Sequence, residues 1–149
     1  MYIKEVNPTK TFPEAGLTAQ RELEILMEAV IPEHATREGV QKYVARTISV
    51  RLDLLGMTRR ELAAICMMDD KDVSEMLGGT KPISDSLRSQ AQFPLDLTTD
   101  DYTPLNPNLP ENKYVDIYTQ IAGHPPDALT RPCVRSLIGS ILIDRCLAA

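Results

Sequence analysis

Gly56-Met57-Thr58-Arg59-Arg60-Glu61-Leu62-Ala63-Ala64-Ile65-Cys66, followed by Val73, Met76, Gly79 and Pro82, decides how this chain folds. The stretch reads as two short helices joined by a tight turn. Thr58 opens the first: its hydroxyl can accept from an early backbone N–H, and Glu61, three residues on, completes a capping box. Leu62, Ala63, Ile65 and Cys66 supply its apolar face. Met67-Met68 is the expected turn. Asp69 can then cap a second helix running to about Leu77, and Gly78-Gly79 closes it.

Outward from this centre the spacing stays helical. Thr36 can cap a longer preceding helix, in which Val40, Val44, Ile48, Leu52 and Leu55 form one apolar stripe that stops at Gly56. Before it, Thr18 opens a helix expected to reach Val30, carrying Leu23, Leu26 and Met27, and Pro32 ends it. Residues 1–12 read as an extended arm. After the central pair, Lys81-Pro82-Ile83-Ser84 leads into a helix near residues 84–92. Periodicity is lost over 94–112, where four prolines, three aspartates and three asparagines predict an irregular connector packed by Leu95, Leu97, Tyr102, Leu105 and Leu109.

Helical spacing resumes at Tyr114, Ile117, Tyr118 and Ile121 and stops at Gly123-His124-Pro125-Pro126. A last helix is expected from about Arg131 to Ala148. Its apolar residues cover more than half the circumference, as in a helix that is sandwiched or shared with another subunit. Leu137, Ile138, Ile141 and Leu142 are therefore the candidate homodimer contact, with burial against the chain's own first helix as the alternative. The expected organisation is an arm and helix (1–35), a central domain (36–93), a connector (94–112) and a helical extension (113–149).

Composition agrees with an all-α chain. Of 149 residues 43% are apolar, enough for a real core, but aromatics make up only 5% and tryptophan is absent. The core must then be built from Leu, Ile, Val, Ala and Met. A net charge of -5 and a pI near 5.0 give no global attraction to nucleic acid. No apolar run of about 18 residues suggests a membrane span. Met1-Tyr2-Ile3-Lys4-Glu5-Val6 lacks the pattern of a secretory signal. Cys66, Cys133 and Cys146 form no CxxC pair, and the odd count reads as reduced thiols in a cytoplasmic protein.

Catalytic motifs are absent: the sequence has no P-loop, GxGxxG, HExxH or GxSxG. Only His34 and His124 offer imidazoles. Asp69, Asp70 and Asp72 lack the remaining positions of a calcium loop. The expectation is a non-enzymatic protein without cofactor or metal.

Residues 43–91 resemble the Cro/phage-repressor helix-turn-helix, also called the xenobiotic-response-element family. The resemblance rests on Arg51 before Gly56-Met57-Thr58, on Glu61-Leu62-Ala63, on Val73 and Met76 spaced by three, and on Gly79-Thr80-Lys81-Pro82. It covers about a third of the chain. Ala63 is small where the two helices cross, while Val73 and Met76 would plug the second helix into the core. The resemblance implies a helix-turn-helix bundle that binds double-stranded DNA as a homodimer and regulates transcription, as in bacteria and phages. The residues it puts forward are Arg59, Arg60, Lys71, Ser74, Thr80 and Lys81, with Arg46 on the preceding helix beside Arg37, Lys42 and Arg51. Arg51 could instead pair with Asp53 or Glu61.

Three features depart from the pattern. Met67 stands at a turn position usually held by Gly, Arg59 replaces a usual Gln, and the second helix is acidic. Across Gly56–Ser86 four basic residues face six acidic ones, 4 − 6 = −2. Asp69 suits an N-cap, but Asp70, Asp72 and Glu75 would repel phosphates unless some point away. Those three acids define the alternative: a helix-turn-helix adaptor that binds a basic protein, as an antirepressor, DNA mimic or replication-loading factor would.

Overall fold

Residues 18–126 and 131–147 are described by a computed structural model. Among them the chain is all-α, with seven α-helices and no strand: α1 (Ala19–Met27), α2 (Arg37–Leu55), α3 (Arg59–Ile65), α4 (Asp70–Gly78), α5 (Asp85–Leu95), α6 (Glu111–Ala122) and α7 (Arg131–Cys146). Short 3₁₀ turns lie at Pro32–His34 and Thr99–Tyr102. Helices α1 to α5 begin where hydroxyl or carboxylate caps satisfy orphan N–H groups. Thr36 accepts from Gly39 N at 2.8 Å and Ser84 from Leu87 N at 3.2 Å. At α3 both halves of the capping box form, with Glu61 N donating to Thr58 at 3.1 Å and Thr58 N donating to Glu61 at 2.8 Å. Gly56 and Gly79 end α2 and α4 at φ 67° and 89°, in the left-handed region that costs glycine nothing.

The chain divides into two compact units, one of the described residues up to Ile31 with Leu105–Leu142, the other of Pro32–Pro104 with the chain from Ile143.

In the unit beginning at Pro32, α3 packs on α4, and α2 packs on α4 and α5. Val44, Ile48, Leu62, Val73, Leu87 and Ala91 are wholly buried. Each fully buried Leu, Ile or Val contributes about 1.5–3 kcal/mol. Gly39 admits the 3₁₀ turn before α2: a Cβ there would lie 2.8 Å from the His34 carbonyl oxygen.

Two residues expected inside are outside. Ile65 is 52% exposed, because Leu62, Ala63 and Cys66 define the buried side of α3 and Ile65 lies more than a quarter turn from it. Leu55 is 53% exposed, at the end of its stripe beside left-handed Gly56.

The expected connector is partly helix. α5 continues past residue 92 to Leu95, with Pro94 in its last turn and Asp96 as a left-handed cap at φ 54°. The extra turn is held by burial of Leu95 and by Leu97 N donating to Gln92 O at 2.8 Å. Arg51 donates to the carbonyls of Leu95 and Asp96 at 2.7 and 3.0 Å, not to Asp53 or Glu61. The open carbonyls of a helix C-terminus are ready acceptors for a cation. Thr98 and Asp101 then cap the 3₁₀ turn, and buried Tyr102 donates its hydroxyl to Arg88 O at 2.9 Å.

In the other unit α1 packs on α6, around Ile25, Leu26, Ala29 and Ile117. α1 stops at Met27 rather than Val30. Val30 instead makes an antiparallel bridge to Leu105, and Asn106 N donates to Ala29 O at 2.7 Å. Tyr114 donates its hydroxyl to Asn106 O, and the Arg135 guanidinium sits 4.7 Å over the Tyr114 ring. Val134, Ile138 and Leu142 of α7 are buried. Of the residues proposed for a dimer face, Ile138 and Leu142 are at 0% exposure within the chain. Leu137 and Ile141 remain half-buried.

Candidate nucleic-acid interface

α4 has two chemically opposed sides. Val73, Met76 and Leu77 point into the core, and Ser84 N donates to the Met76 sulfur at 3.3 Å. The other side carries the acids. Three of them lie where a helix favours negative charge: Asp69 is the N-cap and accepts from Lys71 N at 3.2 Å, while Asp70 and Asp72 stand in the first turn. The acidity of α4 is in part the electrostatics of its own beginning.

The rest of it is met by the cations expected to hold phosphates. Lys81 Nζ lies 2.7 Å from Asp72 Oδ1 and 3.5 Å from Glu75 Oε1. The hydrogen bond to Asp72, helped by the charges of Asp72 and Glu75, holds the Lys81 ammonium above its ordinary range, so it stays protonated. Arg60 Nε lies 3.6 Å from Asp70 Oδ2, and Arg59 donates to the Ser74 carbonyl at 3.4 Å. Thr80 is spent locally, with its N–H and hydroxyl both on Glu75 O. Of the residues put forward by the sequence, Lys71 alone projects from α4 as an exposed cation with no ion-pair partner among the described residues. Ser74 is half-buried beside it.

All these pairs are solvent-exposed: side-chain exposure is 44% for Lys81 and 85% for Arg60. Pairs of this kind contribute little to stability and exchange partners readily. Asp70, Asp72 and Glu75 are thus paired, two of them to one lysine, without being locked.

Arg46 lies elsewhere, on α2. With Lys42 one turn earlier it borders a groove of about 360 Å³ between α2 and the end of α4, whose far rim is Gly78-Gly79 and Lys81. Its floor is apolar, formed by Ala45, Met76, Leu77 and Ile83. Sequence reasoning missed this concavity. Lys42 and Arg46 at i and i+4, with Ala45 between them, are its only linear trace.

The two buried thiols, Cys66 and Cys146, offer no nucleophile. Burial pushes the Cys66 thiol up and that of Cys146 to about 11, so neither supplies a thiolate at neutral pH. No helix among the described residues is long and apolar enough to cross a membrane. Compared with protein-family models, curated proteins and solved structures, the chain has no match.

Proposed function

We propose that the protein binds double-stranded DNA as a helix-turn-helix regulator of transcription, with α4 as the helix that enters the major groove. One observation carries this reading. The outward acids Asp70, Asp72 and Glu75 are paired with two cations, Arg60 and Lys81, while Lys71 stays exposed with Ser74 half-buried beside it and the inner side is anchored by Val73 and Met76. Exposed pairs can be traded for phosphates at small cost, and an acid so released can accept from cytosine N4. Lys42 and Arg46 on α2 add cations beside it. Two copies would read two half-sites, through a contact that does not use Ile138 or Leu142.

The test is binding to random and genomic duplexes over a salt series. Log affinity should fall linearly with log salt, with a slope of about −0.9 for each phosphate neutralised. Lys71→Ala should flatten that slope by about one contact. A flat salt dependence would remove the reading.

A second reading has its own observation. Asp70, Asp72 and Glu75 are only partly covered, so they could meet a basic protein instead. In that case no duplex binds at moderate salt, and a basic partner is lost on Asp70→Asn with Glu75→Gln.

A further inference from the structure

α2 carries two lines of side chains. Val44, Ile48 and Leu52 are buried within the chain. Tyr43, Thr47, Val50 and Leu54 form the second line, and there Val50 is 46% and Leu54 75% exposed. Tyr43 and Thr47 are half-buried. Steps of four, three and four residues keep these side chains on one side of a helix for three turns, about 16 Å. That is the spacing of a coiled-coil seam.

The seam contains both a hole and a knob. Tyr43, Arg46, Thr47 and Val50 line a recess of about 360 Å³. Residues at i, i+3, i+4 and i+7 are the four that receive one side chain from a facing helix. Leu54, the next residue of the seam, is a side chain of the kind such a hole takes. Hole and knob lie on one helix, so a second copy running antiparallel fits each to the other. Leu54 of either copy then enters the recess of its mate, and Val50 meets Thr47.

Charge fixes the direction. Arg46 and Asp53 flank the seam on one side, both exposed and neither with an ion-pair partner among the described residues. In the antiparallel register Arg46 of each copy lies across from Asp53 of the other, so two ion pairs close the contact. A parallel pair would instead set Arg46 beside Arg51 of the second copy. We infer that this face of α2 is where two copies of the chain pair, antiparallel, with Leu54 of each seated in the recess of the other. The surface stands whether or not the chain binds DNA; only its use to present two half-sites rests on that reading. In the dimer Arg46 serves the second copy, and Lys42 is the cation of α2 left beside α4.

Sedimentation equilibrium of the full-length protein tests the pairing. One helix pair is at the small end of specific interfaces, so a monomer–dimer equilibrium with a Kd of about 1–100 μM is expected. Leu54→Glu, at a position too exposed to disturb the core, should weaken the dimer by about tenfold or more. Arg46→Asp and Asp53→Arg should each weaken it by about tenfold, because like charges then face one another. Mixed together, those two single variants should pair near the parental affinity, since each supplies the charge the other lacks. One chain carrying both substitutions should dimerise like the parent. A monomer at every concentration would give the face to another partner or to none, and overturn the assignment. So would a dimer untouched by Leu54→Glu, one abolished only by Leu137→Glu with Ile141→Glu, or a mixture no tighter than its components. Duplex binding by a strictly monomeric protein would end this surface and leave the DNA reading. A dimer that binds no duplex would do the reverse.

Discussion

The two sides of α4 are fixed by different physics. Toward the core, Val73, Met76 and Leu77 are held by close packing, and Met76 also accepts a backbone hydrogen bond. Toward solvent, Asp70, Asp72 and Glu75 are held by ion pairs to half-exposed or exposed cations. Packed contacts are costly to remove, whereas exposed pairs are cheap to exchange. One side therefore sets where the helix stands, and the other is left able to change partners.

The contrast breaks most visibly on the inner side. Met76→Ala should cost about 2–5 kcal/mol, read as a lower denaturation midpoint with an unchanged slope. Arg60→Ala, at 85% side-chain exposure, should stay within about 0.5 kcal/mol of the parent. Comparable losses in the two variants would show that the outer pairs are structural, and the exchange argument would fail with them.

A smaller effect sharpens the outer side. Asp72→Asn with Glu75→Gln removes two negative charges and frees Lys81 while keeping the shape of α4. Affinity for duplex DNA should rise by roughly three- to tenfold at low salt, and the gain should shrink as salt is added. Weaker DNA binding would mean that one of these carboxylates reads a base. Loss of a basic protein partner instead would carry the adaptor reading.

How much of this was legible beforehand follows the same division. Caps and packed periodicities could be read locally: Thr36, Thr58 with Glu61, Ser84, Gly56 and Gly79 all mark the helix ends they were expected to mark or lie within a residue or two of them. What could not be read was any choice of partner. Arg51 had two acids nearby in sequence and took the C-terminal carbonyls of α5, which come near only once α2 and α5 pack. Lys81 and Arg60, counted as free cations for phosphate, are spent on α4. Ile138 and Leu142 belonged to an apolar face that sequence alone could give to either a core or a dimer, and burial gives them to the core. The groove was invisible because its walls are far apart in sequence, on α2 and at the end of α4.

The smallest effect tests the turn that joins the two short helices. Met67 holds a left-handed φ of 56°, and its side chain packs on little, at 92% exposure. Eleven residues on, Gly78 is the reverse case. It lies within α4 at an ordinary helical φ, and a Cβ there would find open space, with only the Arg59 guanidinium at 4.0 Å. Each position carries the residue type better suited to the other. Gly78→Ala should stabilise the fold by about 0.5–1 kcal/mol, by relieving glycine's backbone entropy. Met67→Gly should gain less. It relieves a left-handed strain of about 1–2 kcal/mol, but part of that returns as the greater freedom of glycine in the unfolded chain. Thermal melts of the two single variants and the double variant would show both gains, adding if the turn and the end of α4 are independent. A destabilised Met67→Gly protein would mean that the freedom glycine adds to the unfolded chain outweighs the strain it relieves in the turn.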